Sequence, residues 1–284
     1  MHSLRTDATV MQPSGDSAAR GPPGSPHRAR AGHVCLAIAA VLLLAAALWW
    51  RREAALATAL VEAYPDAIPG DPALEGWALA RGQSAFAQHC SSCHGAAGEG
   101  DRRRGVPDLR DGDWLYGSGR VLEIERVVLY GIRAANSKGW RLSVMPGYAR
   151  PEPDKQYRLE PLRPSEIDDV TEYLMKLQGQ PYDEAIAARG ALVYRNQARG
   201  LCWDCHGENA HGNPAIGAPR LTDSIWLYGD GSRAAIRRSI AEGRAGTCPA
   251  WAGKLEASTI RALAVWVHHL SARAPAATRT SATP

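Results

Sequence analysis

The sequence predicts an all-α protein, two tandem helical domains behind a single N-terminal membrane helix, on three observations. No stretch alternates apolar and polar residues for long enough to build a sheet. A set of residues recurs at a constant shift of 112 positions, the mark of a duplicated domain of roughly 100 residues rather than a short-period solenoid. Val34 to Trp50 is a run of 17 apolar residues, spanning about 26 Å at helical rise, near the lower limit for crossing a bilayer.

Residues 1–33 are rich in Ala, Gly, Pro, Ser and Arg without hydrophobic periodicity, and read as a flexible tail that cannot bury enough apolar surface to order itself. The 34–50 run follows as a transmembrane anchor. Trp49 and Trp50, then Arg51 and Arg52, suit the interface, where aromatic rings sit at headgroup level and cations snorkel. A cleaved signal peptide would end in small residues. Cys35 precedes the apolar run instead of following it, so it is not a lipid-acceptor cysteine, and reads as a small apolar side chain.

Residues 51–72 form a linker. The repeat then occupies 73–178 and 184–272, with a hinge at Gln178 to Asp183 where Gly and Pro punctuate the pattern, and 273–284 form a C-terminal tail. Cys90, Cys93, His94, Pro107, Leu109, Trp114, Tyr116 and Gly131 recur as Cys202, Cys205, His206, Pro219, Leu221, Trp226, Tyr228 and Gly243. The first copy carries an extra stretch, Ala134 to Ser143, after which Pro146 matches Pro249 at a shift of 103, and a Pro-rich insertion, Pro151 to Pro164. Each copy closes with a helical pattern, Ile167 to Leu177 and Ile260 to Leu270. Each copy therefore reads as opening helix, cysteine motif, long loop, short helix, loop and closing helix. Gly82 with Phe86, and Gly190 with Tyr194, let the closing helix cross the opening helix closely.

Charge excludes one class of partner. The net +4 resides in residues 1–52, with six Arg against two Asp, and the remainder balances 27 basic against 27 acidic residues. A neutral body lacks the clustered cations that nucleic acid requires. Arg102 to Arg104 is the one basic cluster of the body and reads as a solvated loop.

Cys90-Ser-Ser-Cys93-His94 and Cys202-Trp-Asp-Cys205-His206 are both Cys-x-x-Cys-His, the attachment signature of c-type haem. Two thiols one helical turn apart can form thioethers with the two vinyl groups on one porphyrin edge, and the adjacent imidazole becomes an axial ligand of the iron. A structural zinc site would need four ligands per tetrahedron where each motif has three, and a redox dithiol would need a βαβ context. The cofactors expected are therefore two covalently attached haem c groups. Each supplies a large apolar disc that a domain of this size otherwise lacks as a core. Covalent attachment occurs on the oxidising side of the bacterial inner membrane, which places the haem domains in the periplasm and the N-terminus in the cytoplasm.

The distal ligands separate the copies. Met145 lies 51 residues after His94, and its thioether completes His/Met ligation. Met1 and Met11 fall in the tail, and Met175 sits at core spacing in the closing helix. The second copy contains no Met, and Cys248 aligns with Met145. A thiolate from Cys248 would stabilise ferric iron beside His206; the alternative is a neutral buried thiol beside five-coordinate or water-ligated iron. His211 follows His206 too closely to reach the opposite face, and His268 and His269 lie on the closing helix. Pro107 and Pro219, each 13 residues after the proximal histidine, could offer a carbonyl to its Nδ1–H. Trp114, Tyr116, Trp226 and Tyr228 could line the haem crevices, or simply pack.

With these motifs in place, residues 75–271 resemble the dihaem CcoP/FixP subunit of cbb3-type cytochrome c oxidase. The resemblance rests on the two consecutive Cys-x-x-Cys-His motifs, Asp113-Trp114-Leu115-Tyr116-Gly117, Gly131-Ile132-Arg133 before Met145-Pro146, and Gly243-Arg244-Ala245-Gly246 before Cys248. It implies two cytochrome c domains that carry electrons from a periplasmic donor, such as a soluble cytochrome c or the quinol-oxidising complex, to the catalytic haem–copper subunit, alongside that oxidase's other cytochrome subunit. It also implies that His94 and Met145 ligate the first iron and His206 the second, with Cys248 standing where the family has another Met. Such a subunit performs no substrate chemistry of its own and has no catalytic residue. The alternatives are the haem subunit of another periplasmic dehydrogenase or nitrogen-oxide reductase, and a dihaem peroxidase or gas sensor using an open second haem.

Overall fold

Local sequence sets where each helix begins in the computed structural model, which describes residues 26–139, 144–154 and 158–272, without the side chains of 26–32 and 35. Helix α1 (Pro26–Glu62) is followed by a 3-10 turn (Pro65–Gly70) and α2 (Pro72–His89). Pro72 suits the first helical turn, where its missing N–H costs nothing, and the Asp71 carboxylate accepts from the Ala73 and Leu74 amides at 3.0 and 3.1 Å. The first motif forms α3 (Ser91–His94), and α4 (Val121–Tyr130) follows a long loop. Pro164 opens α5 (Pro164–Leu177), and Asp183 caps α6 (Glu184–Arg195) by accepting from the Ile186 amide at 2.9 Å. The second motif forms α7 (Cys202–His206), and α8 (Arg233–Glu242) and α9 (Ala257–Ala272) complete the order. No strand occurs among the described residues, only isolated bridges.

Residues 1–25 of the expected N-terminal tail and all of 273–284 lie outside the described residues, as do Met1, Met11, the end of the extra stretch (140–143) and part of the Pro-rich insertion (155–157). The 34–50 run falls within α1, and its described side chains are exposed. Among the described residues no helix is long and apolar enough to cross a membrane. The run's length of about 26 Å falls short of the roughly 30 Å hydrocarbon core.

The chain divides into two units, Met1–Glu53 and Ala54–Pro284, and both sequence copies lie within the second. That unit contains two hydrophobic cores, and neither belongs to one copy. The first joins Ala78 and Phe86 of α2 and Val121 and Ile124 of α4 to Leu263, Val265 and Val267 of α9, with Leu60 and Ile68 beneath. The second joins Ile167, Val170 and Leu174 of α5 to Tyr194 of α6 and Ile236 and Ile240 of α8, with Tyr148, Leu159 and Leu162. The closing helices are thus exchanged: α9 packs on α2 and α4, and α5 packs on α6 and α8. The sequence copies 73–178 and 184–272, expected to wrap one haem each, are not the units of packing.

The short connection explains the exchange. Only 178–183 separate α5 from α6, and helices joined by so few residues lie antiparallel side by side. Once α5 covers α6, the apolar face of α2 is left for α9. The predicted glycine crossings are present with these exchanged partners. A Cβ on Gly82 would run into the Ala262 carbonyl of α9, and one on Gly190 into the Asp169 carbonyl of α5. Ion pairs follow the same pattern, with Asp169 bound to Arg189 at 2.8 Å and Asp168 to Arg237 at 2.6 Å.

Candidate haem centres

Helical geometry places the two thiols of each motif one turn apart. Within the first, the Cys93 and His94 amides donate to the Cys90 carbonyl at 3.1 and 3.0 Å. Cys90, Cys93, Cys202, Cys205 and Cys248 are all free thiols. The His94 Nδ1 lies 3.3 Å from the Pro107 carbonyl, and the His206 Nδ1 lies 2.8 Å from that of Pro219. An Nδ1–H donating there fixes the tautomer and leaves Nε2 as the lone-pair nitrogen. Burial lowers the pKa of both imidazoles, only partly opposed by the proline carbonyls, and so favours the neutral, ligating form. Unpaired thiols at one-turn spacing beside an oriented imidazole fit covalent haem c.

Met145 and Cys248, expected as distal ligands, each bridge to the other sequence copy. Cys248 forms an antiparallel bridge with Ile132, just after α4: its amide donates to the Ile132 carbonyl at 3.0 Å and its carbonyl accepts from the Ile132 amide at 2.9 Å. Two further amides, of Trp251 and Ala252, donate to Val128 and Leu129 of α4, each at 3.0 Å. The Trp251 ring packs 5.1 Å from that of His89, the residue before Cys90. Burial pushes the Cys248 thiol up to about 11, and the Cys93 sulfur adds to the shift. Cys90 is likewise raised to about 11, first by burial, then by Cys248 and Cys93. The three sulfurs therefore share one neighbourhood.

Met145 occupies the equivalent place in the other core. Its amide donates to the Arg244 carbonyl at 3.0 Å, and the Arg244 amide returns the bond at 3.1 Å, just after α8. The Tyr148 and Ala149 amides donate to Ile240 and Ala241 of α8 at 3.0 and 3.1 Å. The Tyr148 hydroxyl lies beside the Cys202 thiol, and burial is the main cause holding that phenol un-ionised. Met145 packs on the same core as Cys202. Gly131 and Gly243, at φ of +72° and +76°, sit where a Cβ would approach the Cys248 and Met145 carbonyls to 2.5 Å, so both turns need glycine.

Trp114 packs against the first core and Trp226 against the second. Tyr116 and Tyr228 cross between the copies, each ring packing on a glycine of the other copy, Gly217 or Gly105, while within its own copy the Tyr116 hydroxyl accepts from Arg133 Nη1 at 2.9 Å and the Tyr228 ring lies 4.4 Å beneath the Arg244 guanidinium. Arg104, read as solvated, lies with Nη2 3.6 Å from the Cys93 sulfur. Sequence reasoning missed Tyr148 and Trp251. Their signal was present, since each is the aromatic residue three positions after Met145 or Cys248.

Known families divide the chain at the same repeat. The cytochrome c family matches residues 79–178, and the family described as cytochrome c oxidase, cbb3-type, subunit III matches 185–267. The two matched domains carry two covalently bound haem c groups. Similar proteins include the cbb3-type cytochrome c oxidase subunit FixP of Bradyrhizobium sp. (strain ORS 278), 40% identical over 76% of this chain and 68% of the relative. FixP of Azorhizobium caulinodans is 38% identical over 72% and 63%, and the subunit CcoP of Cereibacter sphaeroides is 36% identical over 74% and 67%. The chain thus spans about two thirds of the length of these relatives. With both haem motifs inside the matched residues, the chain belongs to the CcoP/FixP family of cbb3-type cytochrome c oxidase subunits.

Proposed function

We propose that this chain is a membrane-anchored dihaem electron carrier, passing electrons from a periplasmic donor to the haem–copper catalytic subunit of a terminal oxidase. The observation that carries it is two haem-attachment motifs in one unit, each with its imidazole oriented by a proline carbonyl. Bound haem iron supplies one-electron chemistry by cycling between ferric and ferrous states. The chain's own contribution is to orient the imidazoles, exclude water around them and hold the two cores together. Crossing contacts such as the Gly117 amide to the Pro214 carbonyl, 3.1 Å, and the Gly229 amide to the Arg102 carbonyl, 3.0 Å, fix one core against the other, and transfer between two haems benefits from a fixed separation.

The anchor reading rests on the apolar run 34–50 and its flank of Trp49, Trp50, Arg51 and Arg52. A run slightly shorter than the hydrocarbon core is accommodated by thinning of the bilayer and snorkelling of flanking cations. This orientation keeps the N-terminus cytoplasmic and both haems periplasmic, near the catalytic subunit and its other cytochrome subunit.

The test is co-expression of the tagged chain with cytochrome c maturation proteins and a haem–copper catalytic subunit. The expected outcome is a chain with two added haem masses that fractionates with membranes and co-purifies with that subunit. Its haems, reduced by a cytochrome c donor, reoxidise in oxygen only when the subunit is present. Failure to co-purify, together with direct peroxide turnover by the isolated chain, would overturn the reading in favour of a peroxidase.

A further inference from the structure

We infer that an open cationic cleft beside the first cysteine motif docks an acidic surface patch of the protein that delivers electrons to this chain. This rests on the electron-carrier reading and adds to it where the donor binds and by what charge.

The cleft, of about 550 Å³, lies between α2 and the stretch that leads into α9. Arg81 and His89 stand on the α2 wall, and Lys254 and Glu256 on the other, so two fixed cations face one carboxylate. The Arg81 guanidinium lies 5.0 Å from the Trp77 ring and the Lys254 ammonium 5.7 Å from that of Trp251. Both cations are exposed, within reach of a partner. His89 precedes Cys90 and its ring meets that of Trp251 at 5.1 Å, so the cleft borders the motif itself. Beside Cys93 the sign is the same. Arg104 brings Nη2 to 3.6 Å from the exposed Cys93 sulfur, and Arg102 and Arg103 are exposed next to it, with Asp101 pairing only Arg103, at 3.8 Å.

The second motif differs in shape and in charge. Residues 146–163 lead into its neighbouring helix α5, against only 249–256 into α9. The longer stretch covers the segment between α6 and the motif: the Glu160 amide donates to the Ala198 carbonyl at 3.0 Å, and Arg199 donates to the Glu160 carboxylate at 3.1 Å and the Pro161 carbonyl at 2.9 Å. Leu159 and Leu162 of the same stretch are buried in the second core. The Pro-rich insertion thus closes the counterpart of the cleft. Asp204 stands inside the second motif, and after burial the carboxylates of Asp204 and Asp154 are the causes that raise the Cys205 thiol. An acidic patch is therefore drawn to the first motif and repelled by the second. Attraction of this kind speeds encounter and weakens as salt rises.

The test uses the full chain loaded with both haems and two reduced probes, an acidic bacterial cytochrome c and the basic mitochondrial cytochrome c, mixed by stopped flow. Reduction by the acidic probe should slow as salt rises. Arg81→Gln with Lys254→Gln should slow it about threefold to tenfold at low salt and leave it unchanged at high salt, while reduction by the basic probe is not slowed. Both positions are exposed, so an unchanged haem spectrum certifies the fold. A rate with the acidic probe that ignores the double substitution, or that responds to Asp204→Asn instead, overturns the proposal. A zinc-substituted acidic cytochrome, which transfers no ground-state electron, should bind the double variant more weakly by a similar factor in fluorescence quenching; equal binding also overturns it. A chain that binds the zinc probe through the cleft yet takes no electron from the acidic cytochrome would instead sink the electron-carrier reading.

Discussion

Asp111 is a residue whose folded surroundings oppose its charge. Burial raises its pKa to about 6, and Asp108 and Asp113 add to the shift, while the Asp113 amide, donating at 3.1 Å, opposes it. A carboxyl raised above its unfolded value of 3.8 binds its proton more tightly when folded, so this group's contribution to stability falls as pH rises from 3.8 to about 6. Asp111→Asn keeps an acceptor for the Asp113 amide and removes the charge. Denaturant unfolding at pH 7 should show the variant more stable by about 1 kcal/mol after allowance for solvent screening, with the gain gone at pH 4; equal stability at both would exclude a buried charge there. At this scale the sequence is most readable. A cysteine motif and a proline carbonyl 13 residues away are local chemistry, and local spacing suffices to name Cys90, Cys93, His94 and Pro107 together with Cys202, Cys205, His206 and Pro219.

Helix α9 shows what spacing cannot say. Its apolar period announces a closing helix, but α2 and α6 offer it similar surfaces, each with a glycine at the crossing point. Periodicity identifies a face, not the partner that covers it. The deciding information was the six-residue connection between α5 and α6, which commits α5 to its neighbour in sequence. One buried ion pair fastens the outcome. Arg261 of α9 donates from Nε to Glu125 of α4 at 2.8 Å and from Nη1 to the Leu60 and Ala63 carbonyls at 3.1 and 2.8 Å. Both side chains are 11% exposed. Removing one partner of a buried pair leaves the other charge uncompensated, at a cost of about 3–5 kcal/mol. Arg261→Met should lower stability by that amount in urea unfolding. Arg261→Met with Glu125→Leu should lose less, because no unpaired charge remains. Were α9 instead packed on α6, Glu125 would be indifferent to Arg261 and the two substitutions would simply add.

At the scale of the whole molecule, the two cores differ in how the chain enters them. The second is assembled from a continuous stretch, from Met145 and Tyr148 through α5, α6 and α7 to Ile240 of α8. The first is discontinuous, from Leu60 to Val128 and again from Leu255 to Val267. Within the second unit the two cores are thus nested, one inserted between the halves of the other, although the sequence reads as two repeats in tandem. Insertion of this kind is tolerated where the ends of the inserted unit lie close together, and the bridge between Met145 and Arg244 holds them so. A fragment of residues 144–244 contains every element of the second core and the bridge that closes it. Expressed with cytochrome c maturation, it should bind one haem and melt in a single transition. A fragment of residues 184–272, the second sequence repeat, keeps the same cysteine motif but exposes the face of α6 that α5 covers, and should yield no cooperatively folded haem protein. Haem content and thermal melts of the two fragments decide between nesting and tandem repeats, because the tandem arrangement requires the opposite pair of results.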